Sequence, residues 1–272
     1  MTIYDKFSLS GKVALVTGGA GLLGKEFCRT LAEAGAVVYL ADQDSNLIDR
    51  TVEDLKGLPG KIKGVALDVT DPQSLQIEIG KMIGESNRMD ILVNSAALDP
   101  KFDPSHPQLS NNAFEDYPLK SWREGLEVNL TGSFLATQAV SRQMVTQNSG
   151  SVIFLCSTYG LCGPDQRIYE KPGKPKTFKP VFYSVTKSGI LGLTRYLAAY
   201  YAGTNIRVNS LTPGGVENGH DEIFVKNYSY RTIMGRMAKR DEMSGALLFL
   251  ASDASSYMTG SNLIVDGGWS AW

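Results

Sequence analysis

The 272-residue sequence predicts an α/β fold built on a doubly wound parallel sheet. Three observations carry that prediction. Short apolar, β-branched runs alternate with amphipathic stretches along most of the chain, the pattern of strands joined by helices and covered on both faces. The first run, KVALVT, passes through the glycine-rich turn GGAGLLG straight into a helical pattern. No linker, repeat or compositional break divides the chain, so residues 1–272 are expected to fold as a single domain.

Hydrophobic residues make up 43% of the chain and charged residues 20%, the balance of a globular domain with a large core. A formal net charge of -1 supplies no general attraction to nucleic acid or to anionic membranes, so neither is an expected partner. The opening MTIYDKFSLSGK lacks the basic stretch, apolar core and cleavage site of a signal peptide. No apolar run reaches the roughly 18 residues of a membrane span. Cys28, Cys156 and Cys162 are odd in number and lack zinc-ligand spacing, which fits a reducing, cytoplasmic setting and no metal.

Taken in order, residues 13–17 form the first strand. Gly18, Gly19, Gly21 and Gly24 then permit backbone conformations and close approaches that a side chain would block, and the next helix offers free amides to a phosphate. Gly18, Gly21, Leu23 and Gly24 are therefore candidate contacts to a dinucleotide. The run 37–41 ends at Asp42, 18 residues beyond Gly24, where a ribose would lie. A carboxylate there accepts hydrogen bonds from the ribose hydroxyls of NAD and repels the 2'-phosphate of NADP. NAD(H) is the expected cofactor and NADP(H) the alternative; the competing role for Asp42 is to cap the helix SNLIDRTVEDL.

The run 61–67 brings Asp68 and Val69 to a strand end where they can meet the adenine ring, before the helix PQSLQIEIGKMIGES. The run 90–93 leads into NSAALD, in which Asn94 holds the loop while Ala96 and Ala97 leave room for a cofactor. Four prolines predict an irregular insertion over 99–118. LKSWREGLEVNLTGSFLATQAVSRQM reads as one long helix carrying Asn129, a residue that inside a helix usually marks surface or a local kink. SVIFLCS is a fifth strand that delivers the Ser157 hydroxyl to the edge where open parallel sheets bind ligands.

In YSVTK, Tyr183 and Lys187 fall one helical turn apart on one face. A tyrosine with an ordinary pKa of about 10 is a poor base near neutrality unless a cation stabilises its phenolate, and Lys187 supplies one. Just before it, residues 165–180 carry five positive charges against two negative, either a solvated excursion or a wall of the substrate pocket. After the strand 206–211 and the turn TPGG, residues 217–235, with Tyr228 and Tyr230, are expected to close over a ligand. DEMSGALLFLAS reads as the last long helix. SNLIVDGGWSAW reads as a final strand and a tail whose exposed Trp269 and Trp272 point to subunit contact.

In this order, TGGAGLLG, Asp42, NSAA, Asn129, Ser157, YSVTK and TPGG resemble the short-chain dehydrogenase/reductase family over nearly the whole chain. The resemblance implies a single Rossmann domain that binds a dinucleotide and carries the catalytic residues, assembled as a homodimer or homotetramer through its long fourth and fifth helices and last strand. It implies Tyr183 as acid/base, Lys187 as its electrostatic partner and ribose ligand, Ser157 as carbonyl orienter and Asn129 as a holder of a relay water. Such a set serves hydride transfer between nicotinamide and a secondary alcohol or ketone. The same resemblance makes Pro213, Gly214 and Val216 backbone contacts of the cofactor.

The sequence departs from the family pattern in three places. Gly21 stands one position earlier than in compact members, as in the extended sugar-nucleotide branch, whereas the length and the DGG tail look compact. Ser157 and Tyr183 are 26 positions apart, more than the family's usual spacing, so the basic insertion has to loop out. TPGG lacks the threonine often found shortly after it. The expected substrate is a small polar, anionic or carbohydrate-derived molecule, and the chain looks most like reductases of bacterial surface-sugar biosynthesis. A 3-oxoacyl thioester reductase is the alternative enzyme, and a dinucleotide-binding regulatory subunit the non-enzyme alternative.

Overall fold

The computed structural model describes residues 2–99 and 112–272, so most of the expected 99–118 insertion lies outside the described residues. Among these residues, seven strands form one sheet in the order β3-β2-β1-β4-β5-β6-β7, and every pairing is parallel. The strands are β1 (Val13–Thr17), β2 (Val37–Asp42), β3 (Lys61–Ala66), β4 (Ile91–Asn94), β5 (Gly150–Leu155), β6 (Ile206–Pro213) and β7 (Asn262–Val265). The helices are α1 (Leu22–Glu33), α2 (Ser45–Asp54), α3 (Pro72–Ser86), α4 (Leu119–Leu126), α5 (Gly132–Thr146), α6 (Thr158–Leu161), α7 (Val181–Tyr200), α8 (Glu222–Tyr230) and α9 (Ser244–Ala251).

Burial explains the unbroken apolar runs. In β1, Ala14 and Val16 pack with Phe27, Ile48 and Leu247 from α1, α2 and α9, while Val13 and Leu15 pack on the opposite face with Ile79, Val140 and Ile190 from α3, α5 and α7. Each fully buried aliphatic side chain contributes about 1.5–3 kcal/mol, and both faces of the central strands collect it. The outer strands β3 and β7 are only partly covered. Local signals set the helix ends. Asp44 accepts the amides of Asn46 and Leu47 at the start of α2; Asp71 accepts those of Gln73 and Ser74 at the start of α3, where Pro72 occupies the first turn.

Four expectations are corrected. The third strand stops at Ala66, one residue short of the expected Leu67. The long helix around Asn129 is interrupted: a π turn at Glu127–Thr131 joins α4 to α5. Trp269 is not exposed. It is 2% accessible and stacks on Tyr228 with ring centroids 4.3 Å apart, leaving only Trp272 exposed at the tail. Tyr228 is not poised to move over a ligand, being 4% accessible with its hydroxyl accepting the Gly215 amide, whereas Tyr230 is exposed. The tail folds back because α6, the 165–180 insertion, α8 and the segment after α8 offer it an apolar seat made of Tyr159, Ile168, Tyr228 and Met237.

Among the described residues, no helix is long and apolar enough to cross a membrane, and no group of three or more His, Cys, Asp or Glu side chains could hold a metal ion.

Candidate active site at the strand ends

The sheet order reverses between β1 and β4, and the loops following those strands diverge to open a cavity of about 640 Å³. The glycine turn forms its floor. Gly18 has φ +64°, and a Cβ there would stand 2.7 Å from the Ala96 Cα; a Cβ on Gly24 would stand 2.0 Å from the Gly18 carbonyl oxygen. Glycine is required at both positions so that the turn can press against its neighbours. Unlike α2 and α3, α1 begins at Gly21 with no side-chain cap among the described residues, which leaves its first amides open to an anion.

Asp42 stands at the end of β2 on the cavity wall, and its Oδ2 accepts the Ala20 amide at 3.2 Å. Asp68 and Val69 line the wall beside it, with Val69 packed against Gly132 of α5. Gly18, Gly21, Leu23, Gly24, Ala96 and Pro213 also face the cavity, whereas Asn94, Gly214 and Val216 are not among its lining residues. Asn94 is turned inward, donating to Thr137 at 3.0 Å. Gly214 packs on the Asp266 backbone, and Val216 makes a bridge to Ala238. An elongated dinucleotide fits this shape, with the helix N-terminus for its phosphates, Asp42 for a ribose and the small Ala96 and Ala97 beside its path.

Tyr183 and Lys187 close the other end of the cavity. Lys187 is 5% accessible, its Nζ donates to the Leu155 carbonyl at 2.7 Å, and it lies 5.7 Å from the centre of the Tyr183 ring. Burial pushes the Lys187 ammonium down to about 8, against the opposing pull of Cys156 and Asp99. Burial likewise pushes the Tyr183 phenol up, Asp99 adds to that, and a hydrogen bond with Ser157 works the other way. Ser157 and Tyr183 therefore converge despite the long insertion, because residues 158–180 leave and return at the same strand edge. The Ser157 Oγ also accepts the Tyr159 amide and caps α6.

Asn129 serves differently. In the π turn its side chain clasps Leu98 from both sides, Oδ1 accepting the Leu98 amide at 2.7 Å and Nδ2 donating to the Leu98 carbonyl at 3.1 Å. Its own carbonyl accepts the Ser133 hydroxyl at 3.1 Å. Thr17, named in the sequence only as a strand end, similarly receives the amides of Ser95 and Ala96. Both residues tie the loop after β4 in place.

The 165–180 insertion is docked at Ile168 and Pro180, which are buried, while residues 172–176 stand exposed. Four of its five cations are matched: Arg167 to Asp165, Lys171 to Asp221, Lys176 to Glu170 and Lys179 to Asp99. The surplus of positive charge counted in the sequence does not stand as an open anion patch, because two of these carboxylates come from other segments.

A parallel sheet with a glycine turn, a strand-end acid and a tyrosine one helical turn from a buried lysine defines the class of nicotinamide-dependent oxidoreductases. The chain belongs to the short-chain dehydrogenase/reductase family: the family model described as enoyl-(acyl carrier protein) reductase matches residues 19–270. It is 34% identical to a 3-oxoacyl-[acyl-carrier-protein] reductase of Thermotoga maritima, over 96% of this chain and 98% of that one. It is 32% identical to a D-threitol dehydrogenase of Mycolicibacterium smegmatis, over 99% and 96%. The crystal structure of a short-chain type dehydrogenase/reductase from Mycobacterium marinum superposes with a TM-score of 0.86 at 32% identity, covering 100% of both chains. The protein is an NAD(P)-dependent oxidoreductase that interconverts a secondary alcohol and a ketone on a small molecule.

Proposed function

We propose that the chain, acting as one dinucleotide-binding and catalytic domain, uses NAD(H) to interconvert a small neutral polyol and its ketose. The single observation behind the catalytic assignment is the convergence of Ser157, Tyr183 and buried Lys187 at the end of the cavity. When bound, the nicotinamide accepts or delivers the hydride. In oxidation Tyr183 takes the hydroxyl proton, Lys187 favours the phenolate that receives it, and Ser157 orients the substrate oxygen. Asn129 holds the Leu98 loop against this site, and the π turn around it is the expected seat of a relay water.

Asp42 at the ribose position supports NAD over NADP. The paired charges of the insertion support a neutral polar substrate over an anion, and a relative named for D-threitol supports a polyol. Exposed Phe134 and Val145 on α5, Tyr196 and Tyr200 on α7 and Ile264 on β7 support a homodimer or homotetramer. The three free cysteines support a reducing cytoplasm.

Initial rates with NAD and NADP across threitol, other sugar alcohols, cyclopentanol, sugar nucleotides and a 3-oxoacyl thioester test the assignment. Highest kcat/KM on a polyol with NAD is the expected result. Highest activity on the thioester would replace the polyol by the acyl substrate named in the Thermotoga maritima relative.

A further inference from the structure

The insertion that separates Ser157 from Tyr183 returns a second ammonium to the site. Lys179 places its Nζ 4.1 Å from the centre of the Tyr183 ring, closer than the 5.7 Å of Lys187, and 5.9 Å from the Tyr159 ring. Its side chain is 13% accessible and pairs at 2.5 Å with Asp99, which comes from the loop after β4. Both ends are anchored. The Lys179 amide donates to the Gln166 side chain at 2.9 Å, and Asn129 clasps Leu98 immediately before Asp99. A cation held over an aromatic face is attracted by a neutral ring and more strongly by a phenolate.

We propose that the Lys179–Asp99 ion pair is a second electrostatic element of the site, in which Lys179 acts as a positioning residue that sets the pH window of proton exchange at Tyr183. The inference rests on Tyr183 being the acid/base. The other groups facing Tyr183 are Lys187 on its own helix, Cys156 and Ser157 after β5, Tyr159 on α6 and Tyr169 in the insertion, with Glu124 and Glu127 on the cavity rim. Burial pushes the Tyr159 and Tyr169 phenols and the Cys156 thiol up, so these stay neutral near pH 7. The charged side chains placed over the ring are Lys179, paired with Asp99, and Lys187.

The two partners act with opposite sign. Removing Lys179 takes a cation from the phenolate and from the Lys187 ammonium, which raises both pKa values. Removing Asp99 takes away an anion and lowers both. The two titrations that bound alcohol oxidation, loss of the Tyr183 proton and loss of the Lys187 proton, therefore move together. A purely structural ion pair has no such signature, because breaking it from either side disturbs the same contact.

The experiment is the pH profile of kcat/KM for oxidation of the best panel alcohol at saturating NAD. It is run on the full chain and on Lys179→Met, Asp99→Asn, Lys179→Arg and Tyr183→Phe. Rates are normalised to the folded fraction measured at each pH, so the position of each limb reports titration rather than stability. Lys179→Met is expected to slide the profile up by about one pH unit, Asp99→Asn to slide it down by a similar amount, and Lys179→Arg to leave it in place. Profiles that move the same way in the Met and Asn variants, or not at all, overturn the inference while Tyr183→Phe is inactive. Turnover retained by Tyr183→Phe removes the acid/base assignment, and the inference falls with it.

Discussion

Lys187 takes up its proposed role in the reaction at the expense of the fold. Its ammonium falls from an ordinary 10.5 to about 8 because burial removes its hydration. Below pH 8 both folded and unfolded chains hold the proton and the fold carries the full penalty. Between about 8 and 10.5 only the unfolded chain keeps it, so stability rises with pH; above 10.5 the penalty is gone. In the absence of cofactor this amounts to about 3 kcal/mol. Urea titrations of the wild type and Lys187→Met across that window should differ by this slope, and parallel curves would show that the lysine is not desolvated. Asp42 belongs to the same scale. Asp42→Ala should erase most of the preference for NAD over NADP in kcat/KM, by roughly 10-fold or more if one charge repulsion near the 2'-phosphate is lost. An unchanged preference would place the discriminating charge elsewhere.

At the scale of elements, what the sequence made legible was local. Gly18 to Gly24 and Tyr183 to Lys187 are readable because their spacing within one turn or one helix is itself the geometry. The start of α2 was legible only to within two positions, since its capping carboxylate is Asp44 and not Asp42, the alternative cap. What it hid depends on distant partners. Trp269 looked exposed because a strand followed by a glycine tail ends the sheet; its burial needs Tyr159 from α6 and Tyr228 from α8. Lys179 looked like part of a basic loop because its carboxylate, Asp99, is 80 positions away. The π turn at Asn129 has no compositional marker of its own. Asp90 is another residue whose role appears only in the fold: it is 4% accessible, accepts the Val13 amide at 2.8 Å and takes both arms of Arg88 at 2.7 Å. Asp90→Ala leaves the Val13 amide at the start of β1 without that acceptor. With Arg88 partly solvated, the loss should be about 2–3 kcal/mol by chemical denaturation. A loss under about 0.5 kcal/mol, the size of an ordinary surface change, would contradict that role. Trp269→Ala should cost about 3–5 kcal/mol and raise protease sensitivity within 165–180 and 217–235, since the seat of the tail joins those two segments.

At the scale of the molecule, the parallel sheet supplies one edge, and most of the residues with a proposed chemical role are delivered to it by a strand end or a helix start. Gly18 follows β1, Asp42 closes β2, Ser157 follows β5 and Pro213 ends β6. Tyr183 lies in the first turn of α7, whose start is fixed by Pro180 and whose length carries Lys187 down against Leu155. The insertion, α8 and the tail form a separate unit, held to one another by Lys171–Asp221 and the Tyr228–Trp269 stack. Family membership resolves the reaction class and leaves the substrate to be measured. The central claim is that Tyr183 exchanges the substrate proton while the rest of the cavity binds the cofactor. Tyr183→Phe tests it most directly, with turnover and NADH affinity measured on the same preparation. The account predicts a loss of kcat by roughly 10²–10⁴-fold with NADH affinity changed by less than about threefold; wild-type turnover in this variant, with NADH still bound, would contradict it.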